Sequence, residues 1–598
     1  MRRLSELSVS EALSRPLAGL LAGLMALGVL LPAGVSPAGA DGPPEPAGDG
    51  EVIEHAEEGY PRPVGADYRT PFVAAITADI AARARLGEPD GSWTLQREGD
   101  DFASPDETRF AGPSAALAQV GFGPAGALTA NETGRFSPKA GAVLPAAEAT
   151  YAFGRTEFGW HDPVYPDGAS GVVAPRGNYV YVAKKVLIRN IPGYPGQSFS
   201  FAVVEVYTKA GVFATYAIMP LKYALDFVDG IDAYEEPGGN VSVYVAGSFD
   251  YRPMVAKFRH DRTANTFGLV ATSGAPSLGN FAIMMTPKVY KVNGAPMVYV
   301  LGTDWVIPPG NPDGLADGII SRFDVNLKHI NSTRIWTAAQ GFPCKDEIEI
   351  NSLYIDKFGV FTVTDVDKQS DHFIGNCLGR PPRGGISRTS HDLKTSTFKK
   401  FDDAPGTDFL SSDSLAGDGN GLIFITGHKT WQNLPIQIHL TKVTWSSSTG
   451  FSAFEHFAAG HPGGYQAGAS MTIGGTRYRE VAPGKADLVV AGWVTDSTEN
   501  CLAGECSDWE TWIGDALTVG NGIPFAVDHA AFTQSFVSPT YDQPFDIAPD
   551  ADDVNVYWQV GCSDGTKKAT GFSTDCYTIY PNSPNVNARM FKITVTSR

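Results

Sequence analysis

The sequence predicts an all-β fold, a seven-bladed β-propeller behind an N-terminal leader. Three observations carry that prediction. Short runs of β-branched and aromatic residues ending on a small residue recur from residue 179 onward, and a second apolar strand follows most of them. Gly 66 plus Pro 42 is 108 of 598 residues, or 18%, against about 12% in average usage, so turns must be abundant and a helical bundle is disfavoured.

The chain opens with Arg2, Arg3 and Arg15 flanking the uncharged run LAGLLAGLMALGVLL at 17–31, followed by Ala38-Gly39-Ala40. A basic flank, a short apolar run and a small-x-small site are the layout of a cleavable secretory signal over residues 1–40, with the mature chain starting at Asp41. The run is too short for a membrane span, and no later stretch reaches the ~18 apolar residues one needs. Arg2-Arg3 leaves the twin-arginine route open beside the general secretory one. A secreted, periplasmic or cell-surface location is expected. The formal charge of -19 moves to -20 with the loss of three Arg and two Glu, and so acidic a chain is not expected to bind nucleic acid or coat an anionic membrane.

Residues 41–148 read as a flexible leader. Pro, Gly and Glu dominate 41–69, and Gly, Ala and Pro dominate 105–148, neither with material for a core. Between them Thr70 to Leu86 places apolar residues at helical spacing, which predicts one short helix at 70–86.

The region 149–598 repeats. YVYVA, VSVYVAG, MVYVLG, GVFTVTD, LIFITG, LVVAGW and VNVYWQVG set Lys184, Gly247, Gly302, Asp365, Gly427, Gly492 and Gly561 in equivalent positions, at steps of 63, 55, 63, 62, 65 and 69 residues. SFAVVEVY, MVAKF, IISRF, GISRT, IQIHL and MFKITV supply the following strands. A unit of about 63 residues holding several short strands cannot bury itself, and such units stack radially as blades. MFKITV nearly ends the chain, so the last blade lacks an outer strand, and the segment Ala149 to Gly154 is expected to supply it, since closure removes a bare edge.

The strings Asp418-Gly419-Asn420-Gly421 before LIFITG, Gly238-Gly239-Asn240 before VSVYVAG, and Asp356-Lys357-Phe358-Gly359 before VFTVTD resemble the secreted bacterial β-propeller repeat family, with its Asp, Gly-Asn turn, alternating strand and Thr-Gly or Ala-Gly close. The resemblance covers about half the chain. It implies the fold, with the turn joining the innermost strand to the second and the glycine ending the second. Function has to come from a site.

The connections after the glycines then emerge on one face, and they are long: 17 positions from Gly302 to Ile319, 21 from Asp365 to Ile386 and 29 from Gly561 to Met590. Cys377, Cys501, Cys506, Cys562 and Cys576 fall in them, and Cys344 lies in a connection entering an innermost strand on the same face. Six cysteines permit 15 pairings; proximity favours Cys501 with Cys506 and Cys562 with Cys576, leaving Cys344 for Cys377. The same loops carry Asp250, Tyr251 and Arg252; Asp304 and Trp305; Asp365 and Asp367; His428 and Trp431; Trp493 and Asp496; and Asp508, Trp509, Glu510 and Trp512. Rings stack on C–H surfaces while carboxylates accept hydroxyl hydrogen bonds, so the set suits a polar ligand such as a sugar. Carboxylates without neighbouring lysines would equally hold Ca2+; no other cofactor is expected.

Other motifs carry less. GCSDG at 561–565 matches G-x-S-x-G around Ser563 but is followed by no helix, GFGPAG at 121–126 does not open one, and HFAAGH with His456 and His461 lacks zinc-protease spacing. His-Asp neighbours recur, as at His161-Asp162, His260-Asp261, Asp371-His372, His391-Asp392 and Asp528-His529, but adjacent strand residues point to opposite faces. The leading functional reading is a monomeric binding protein for an extracellular glycan or protein. A glycan hydrolase or lyase with paired carboxylates on the propeller axis is the second reading, and a structural surface scaffold the third. N-terminal sequencing of the exported chain is expected to begin at Asp41; recovery of residues before it would contradict the cleavage reading.

Overall fold

The computed structural model describes residues 133–134, 152–157, 167–189, 198–218, 226–249, 252–274, 281–306, 315–337 with 340, 353–364, 385–400, 409–410, 414–431, 434–459, 470–495, 507–517, 526–530, 541–564 and 586–598. Every element among them is a strand, and none holds a helix long and apolar enough to cross a membrane. The expected signal, the helix at 70–86 and GFGPAG lie outside the described residues, as does the leader apart from Thr133–Gly134.

The strands form a seven-bladed propeller of antiparallel four-stranded blades. From the inside outward, blade 1 is Asp167–Val173, Tyr179–Arg189, Ser198–Thr208 and Phe213–Ile218. Blade 2 is Asp226–Glu235, Val241–Phe249, Arg252–Asp261 and Thr266–Gly274, and blade 3 is Phe281–Val292, Ala295–Val306, Leu315–Asp324 and His329–Ile335. Blade 4 uses Leu353–Asp356, Gly359–Thr364, Gly385–Thr389 and Ser396–Lys400; blade 5 uses Ser414–Gly417, Leu422–Trp431, Leu434–Ser446 and Glu455–Ala459. Blade 6 is Ser470–Ala482, Lys485–Thr495, Ser507–Asp515 and Ala526–Ala530. Blade 7 is Tyr541–Pro549, Val556–Asp564 and Val586–Ser597, completed on its outside by Ala152–Glu157. That closing strand overlaps the expected Ala149–Gly154 and pairs from Phe153 with Val595 to Glu157 with Phe591.

The second strands explain why the repeat is so apolar. Val243 and Val245 point into a core shared with blade 1, while Tyr244 and Ala246 point into one shared with blade 3. Strand side chains alternate, and here both faces are covered, so the run is continuous rather than half polar. The same sharing recurs between blades 3 and 4, 4 and 5, 5 and 6, and 6 and 7. Each fully buried Val, Leu or Ile contributes roughly 1.5–3 kcal/mol, most of which a lone blade would forfeit.

Polar staples cross the seams between blades. Tyr181, Tyr244 and Tyr299 each lie three residues before the glycine-equivalent position. Their hydroxyls reach the next blade at His260 Nδ1 (2.8 Å), the Val325 carbonyl (2.8 Å) and the His391 carbonyl (2.7 Å). Burial pushes the Tyr181 hydroxyl up to about 12 and that of Tyr244 further, so all remain donors at neutral pH. In the opposite sense the Tyr557 hydroxyl of blade 7 donates to Asp487 of blade 6 at 2.7 Å.

The innermost strands of blades 1, 2, 3 and 7 each contain a one-residue bulge, and that of blade 6 contains two. Close to the axis they nearly touch: a Cβ at Gly171 would lie 2.8 Å from Ile231 of blade 2. The Asp418-Gly419-Asn420-Gly421 turn joins innermost to second strand as expected, its Asp418 Oδ1 accepting from the Asn420 and Leu422 amides at 2.6 and 3.0 Å.

One expectation is corrected. The glycine does not end the second strand, which runs on to Phe249, Val306, Trp431, Thr495 and Asp564. With both neighbours already antiparallel, the ladder simply continues until a strand partner is lost. Deleting residues up to 160 removes the outer strand of blade 7 and bares the edge of Val586–Ser597, so the melting temperature is expected to fall by several degrees. An unchanged melting temperature would contradict closure by this strand.

Candidate functional site

The charged layer on the axis comes from the innermost strands. Asp232 pairs across with Tyr244, Lys288 with Tyr299 and Arg477 with Val489, so the three share one level of the ring. Asp546, opposite Val560, sits one level nearer the ends of the second strands. The field at Lys288 is set by Asp232, Arg477 and Asp546 together. These belong to blades 2, 6 and 7, and blades 6 and 7 lie across the ring from blade 3, so only the axis brings the four together.

Three of the four are tied to the next blade. Asp232 Oδ2 accepts the Val289 amide of blade 3 at 2.6 Å. Asp546 Oδ2 accepts the Val172 amide of blade 1 at 3.0 Å, and Oδ1 accepts the Ile547 amide at 2.8 Å and the guanidinium of Arg477. Arg477 also donates to the Thr476 carbonyl at 2.8 Å. Burial lowers the Lys288 ammonium below the ordinary lysine range, the two carboxylates oppose that shift, and Arg477 adds to it. Neither axial carboxylate is an unengaged acid or base, because each is an acceptor in the seam between blades.

A second buried charge cluster lies in blade 1. Lys184 stands where five other blades carry glycine, and its ammonium lies 3.2 Å from Glu205, which also accepts from the Tyr207 hydroxyl at 2.6 Å. Lys184 and Glu205 are fully buried, and burial pushes the Glu205 carboxyl up to about 8. By strand alternation both face blade 7, away from the core shared with blade 2.

The ligand candidates fall into two groups. Asp250, Tyr251, Asp365, Asp367 and Asp496 lie outside the described residues. Arg252, Asp304, Trp305, His428, Trp431 and Trp493 were expected in loops and lie in strands instead: Arg252 opens a third strand, and the others sit one to four residues beyond Gly302, Gly427 and Gly492. Trp493 is opposite Trp509, and Asp304 opposite Asp317. Asp508, Trp509, Glu510 and Trp512 are likewise in a strand, Ser507–Asp515. Trp512 is 1% exposed and belongs to the core, so it is not a ligand-stacking ring.

Cys562 was expected in a loop and is fully buried in the second strand of blade 7; the other five cysteines lie outside the described residues. Ser563 follows within the same strand, opposite Asn587 and Asp542, so it is on a continuing ladder rather than a strand-to-helix turn. Among the described residues no three His, Cys, Asp or Glu side chains cluster as metal ligands. Of the His-Asp pairs, His391 spans a seam, stacked on Tyr290 at 5.4 Å and bonded through Nε2 to the Asp356 carbonyl at 2.8 Å. His260 is fully buried with Nδ1 held by Tyr181 and Nε2 3.4 Å from Asn265 Oδ1.

Sequence reading missed all four axial residues. A spacing signal was present: Asp232, Lys288, Arg477 and Asp546 precede Gly247, Gly302, Gly492 and Gly561 by 15, 14, 15 and 15 positions.

No family model matches the chain, and no curated protein matches it. Among solved structures, the polysaccharide lyase Uly1 is 7% identical over 71% of this chain and 89% of its own, with a TM-score of 0.37. The alpha-L-arabinanase of Penicillium chrysogenum complexed with arabinobiose is 10% identical over 62% and 94%, at 0.34. The WD40 domain of SCAP from fission yeast is 7% identical over 74% and 98%, also at 0.34. Likeness at this level does not bear on the chemistry of this chain.

Burial lowers His260 to about 4, against the Asn265 hydrogen bond that raises it, with Arg262 lowering and Asp261 raising it by smaller amounts. Between about 4 and the unfolded value near 6.5 only the unfolded chain binds this proton, so stability falls on acidification through that window. The expected loss attributable to His260 is on the order of 2–4 kcal/mol between pH 7 and pH 4. Denaturant titrations of the wild type and His260→Gln should show a shallower pH dependence in the variant, and identical slopes would contradict the assignment.

Proposed function

We propose that this chain is an exported binding protein. It recognises a polar extracellular ligand, a glycan or a protein, on the face where the second strands end. The observation that carries the reading is the engagement of the two axial carboxylates, Asp232 and Asp546, among the described residues. Asp232 and Asp546 are spent as acceptors of backbone amides and of Arg477, whereas glycosidic hydrolysis needs one carboxyl free to give a proton and another free to attack or activate water. A rigid ring with polar groups on its axis instead suits recognition, because the ligand meets pre-placed donors and acceptors without an ordering cost.

Position along the strands supports the choice of face. Asp304, Trp305, His428, Trp431 and Trp493 lie within the last four residues of three second strands, all toward the same end of their blades, and a carboxylate with rings there would suit a polar ligand. The cysteine pairings expected from spacing would brace this face, and such bridges would fit an oxidising compartment.

A screen of the purified mature chain against immobilised polysaccharides, reading both retention and release of reducing ends, tests the proposal. Retention of at least one polymer without product is the expected result. Product release would establish the hydrolase or lyase reading in its place.

A further inference from the structure

Lys288 departs from the rule its neighbours obey. Asp232, Arg477 and Asp546 each bond to the next blade, but among the described residues Lys288 has neither a hydrogen-bond acceptor nor a carboxylate within ion-pair distance. Its side chain is partly exposed although its strand is the innermost of blade 3, so the exposure opens on the axis rather than on the outer surface. On that same strand Lys291 is exposed and lies over the ring of Tyr234, an ordinary surface arrangement.

A cation inside the ring gives up part of its hydration, and Asp232 and Asp546 offset that loss through space without a hydrogen bond to it. The neighbouring carboxylates make no direct bond to it, because amides and Arg477 already hold them in place. The arrangement leaves one unsatisfied positive donor on the axis of a chain whose formal charge is -19. An incoming anion would gain a charge-assisted hydrogen bond there, in surroundings where such a bond is stronger than in water.

We infer that Lys288 is an anion subsite on the propeller axis, and that the ligand of this protein carries a carboxylate or sulfate group which enters the ring to meet it. This inference rests on the binding reading above and specifies its ligand as an acidic glycan. Arg477 flanks the subsite with a second positive charge, while Asp232 and Asp546 limit entry to a single small anionic group by repelling a longer anionic run.

The test uses calorimetric titration with three oligosaccharides of equal length: a galacturonate trisaccharide, a sulfated galactan trisaccharide and a neutral galactan trisaccharide. The full mature chain is compared with Lys288→Met, Lys288→Arg and the control Lys291→Met, with near-UV circular dichroism confirming that each is folded. The wild type should bind at least one acidic trisaccharide about tenfold more tightly than the neutral one. Lys288→Met should abolish that preference, and Lys288→Arg should retain most of it. Which acidic probe wins identifies carboxylate or sulfate as the group taken. As a reading independent of any glycan, inorganic sulfate should raise the melting temperature of the wild type more than that of Lys288→Met.

Equal affinity for neutral and acidic probes, or a preference that survives in Lys288→Met, would overturn the subsite and leave the binding reading standing. Equal sulfate shifts in the two proteins would overturn it as well. Failure of every trisaccharide and every polymer to bind would remove both.

Discussion

The fold depends on the two-sided burial of the second strand in every blade. A single four-stranded sheet of this sequence would expose one apolar face, as the division of Val243 and Val245 from Tyr244 and Ala246 makes plain. Each blade is therefore stable only between two others, and a stack built on that rule has no natural end until it meets its own beginning. Ring closure follows from the core composition, and Ala152–Glu157 completes the last blade. The bulges and the close approach at Gly171 show the same constraint at small radius, where the innermost strands must bend and shed side-chain volume to converge.

Polar groups divide the labour differently. Tyrosines in blades 1 to 3 donate forward across the seams, and the axial carboxylates Asp232 and Asp546 accept from the next innermost strand. The seam between blades 7 and 1 has in addition Lys184 and Glu205, a fully buried pair. Such a pair contributes little net stability against an apolar substitute, but each member strongly disfavours any arrangement that strands the other. A seam that joins the two ends of the chain is where such discrimination between partners has most to act on.

Much of the architecture was legible because the repeat is written in apolar strings, and burial on both faces demands those strings wherever a second strand lies. The blade number and the identity of the closing strand came from spacing and from one missing strand after MFKITV. Strand ends were less legible. Nothing in GTDWV or TGHKTW marks the residue where a ladder loses its partner, so Asp304, Trp305, His428 and Trp431 were read as loop residues although pairing carries the strand through them. Trp512 looked like a ligand ring because tryptophan serves both cores and sugar platforms, and only its burial distinguishes the two. The axial charges were hidden for another reason. Asp232, Lys288 and Arg477 share a ladder position but differ in type from blade to blade, and Asp546 is offset from it, so a search for a recurring residue passes over them.

The closing strand also orders events in time. Phe153 and Val595 are paired in the finished ring but stand 442 positions apart in the sequence, so Ala152–Glu157 is made long before Val586–Ser597 exists to receive it. During that interval six blades can assemble against one another while the waiting segment has no sheet to join. Arg155 and Glu157 within it, and Lys592 on its eventual partner, place charges on two edges that would otherwise invite pairing with another chain. Closure is then the slowest and least local step of folding, a loop of several hundred residues drawn shut at once. The period before it is when the protein is most open to capture by chaperones, by proteases or by its own copies.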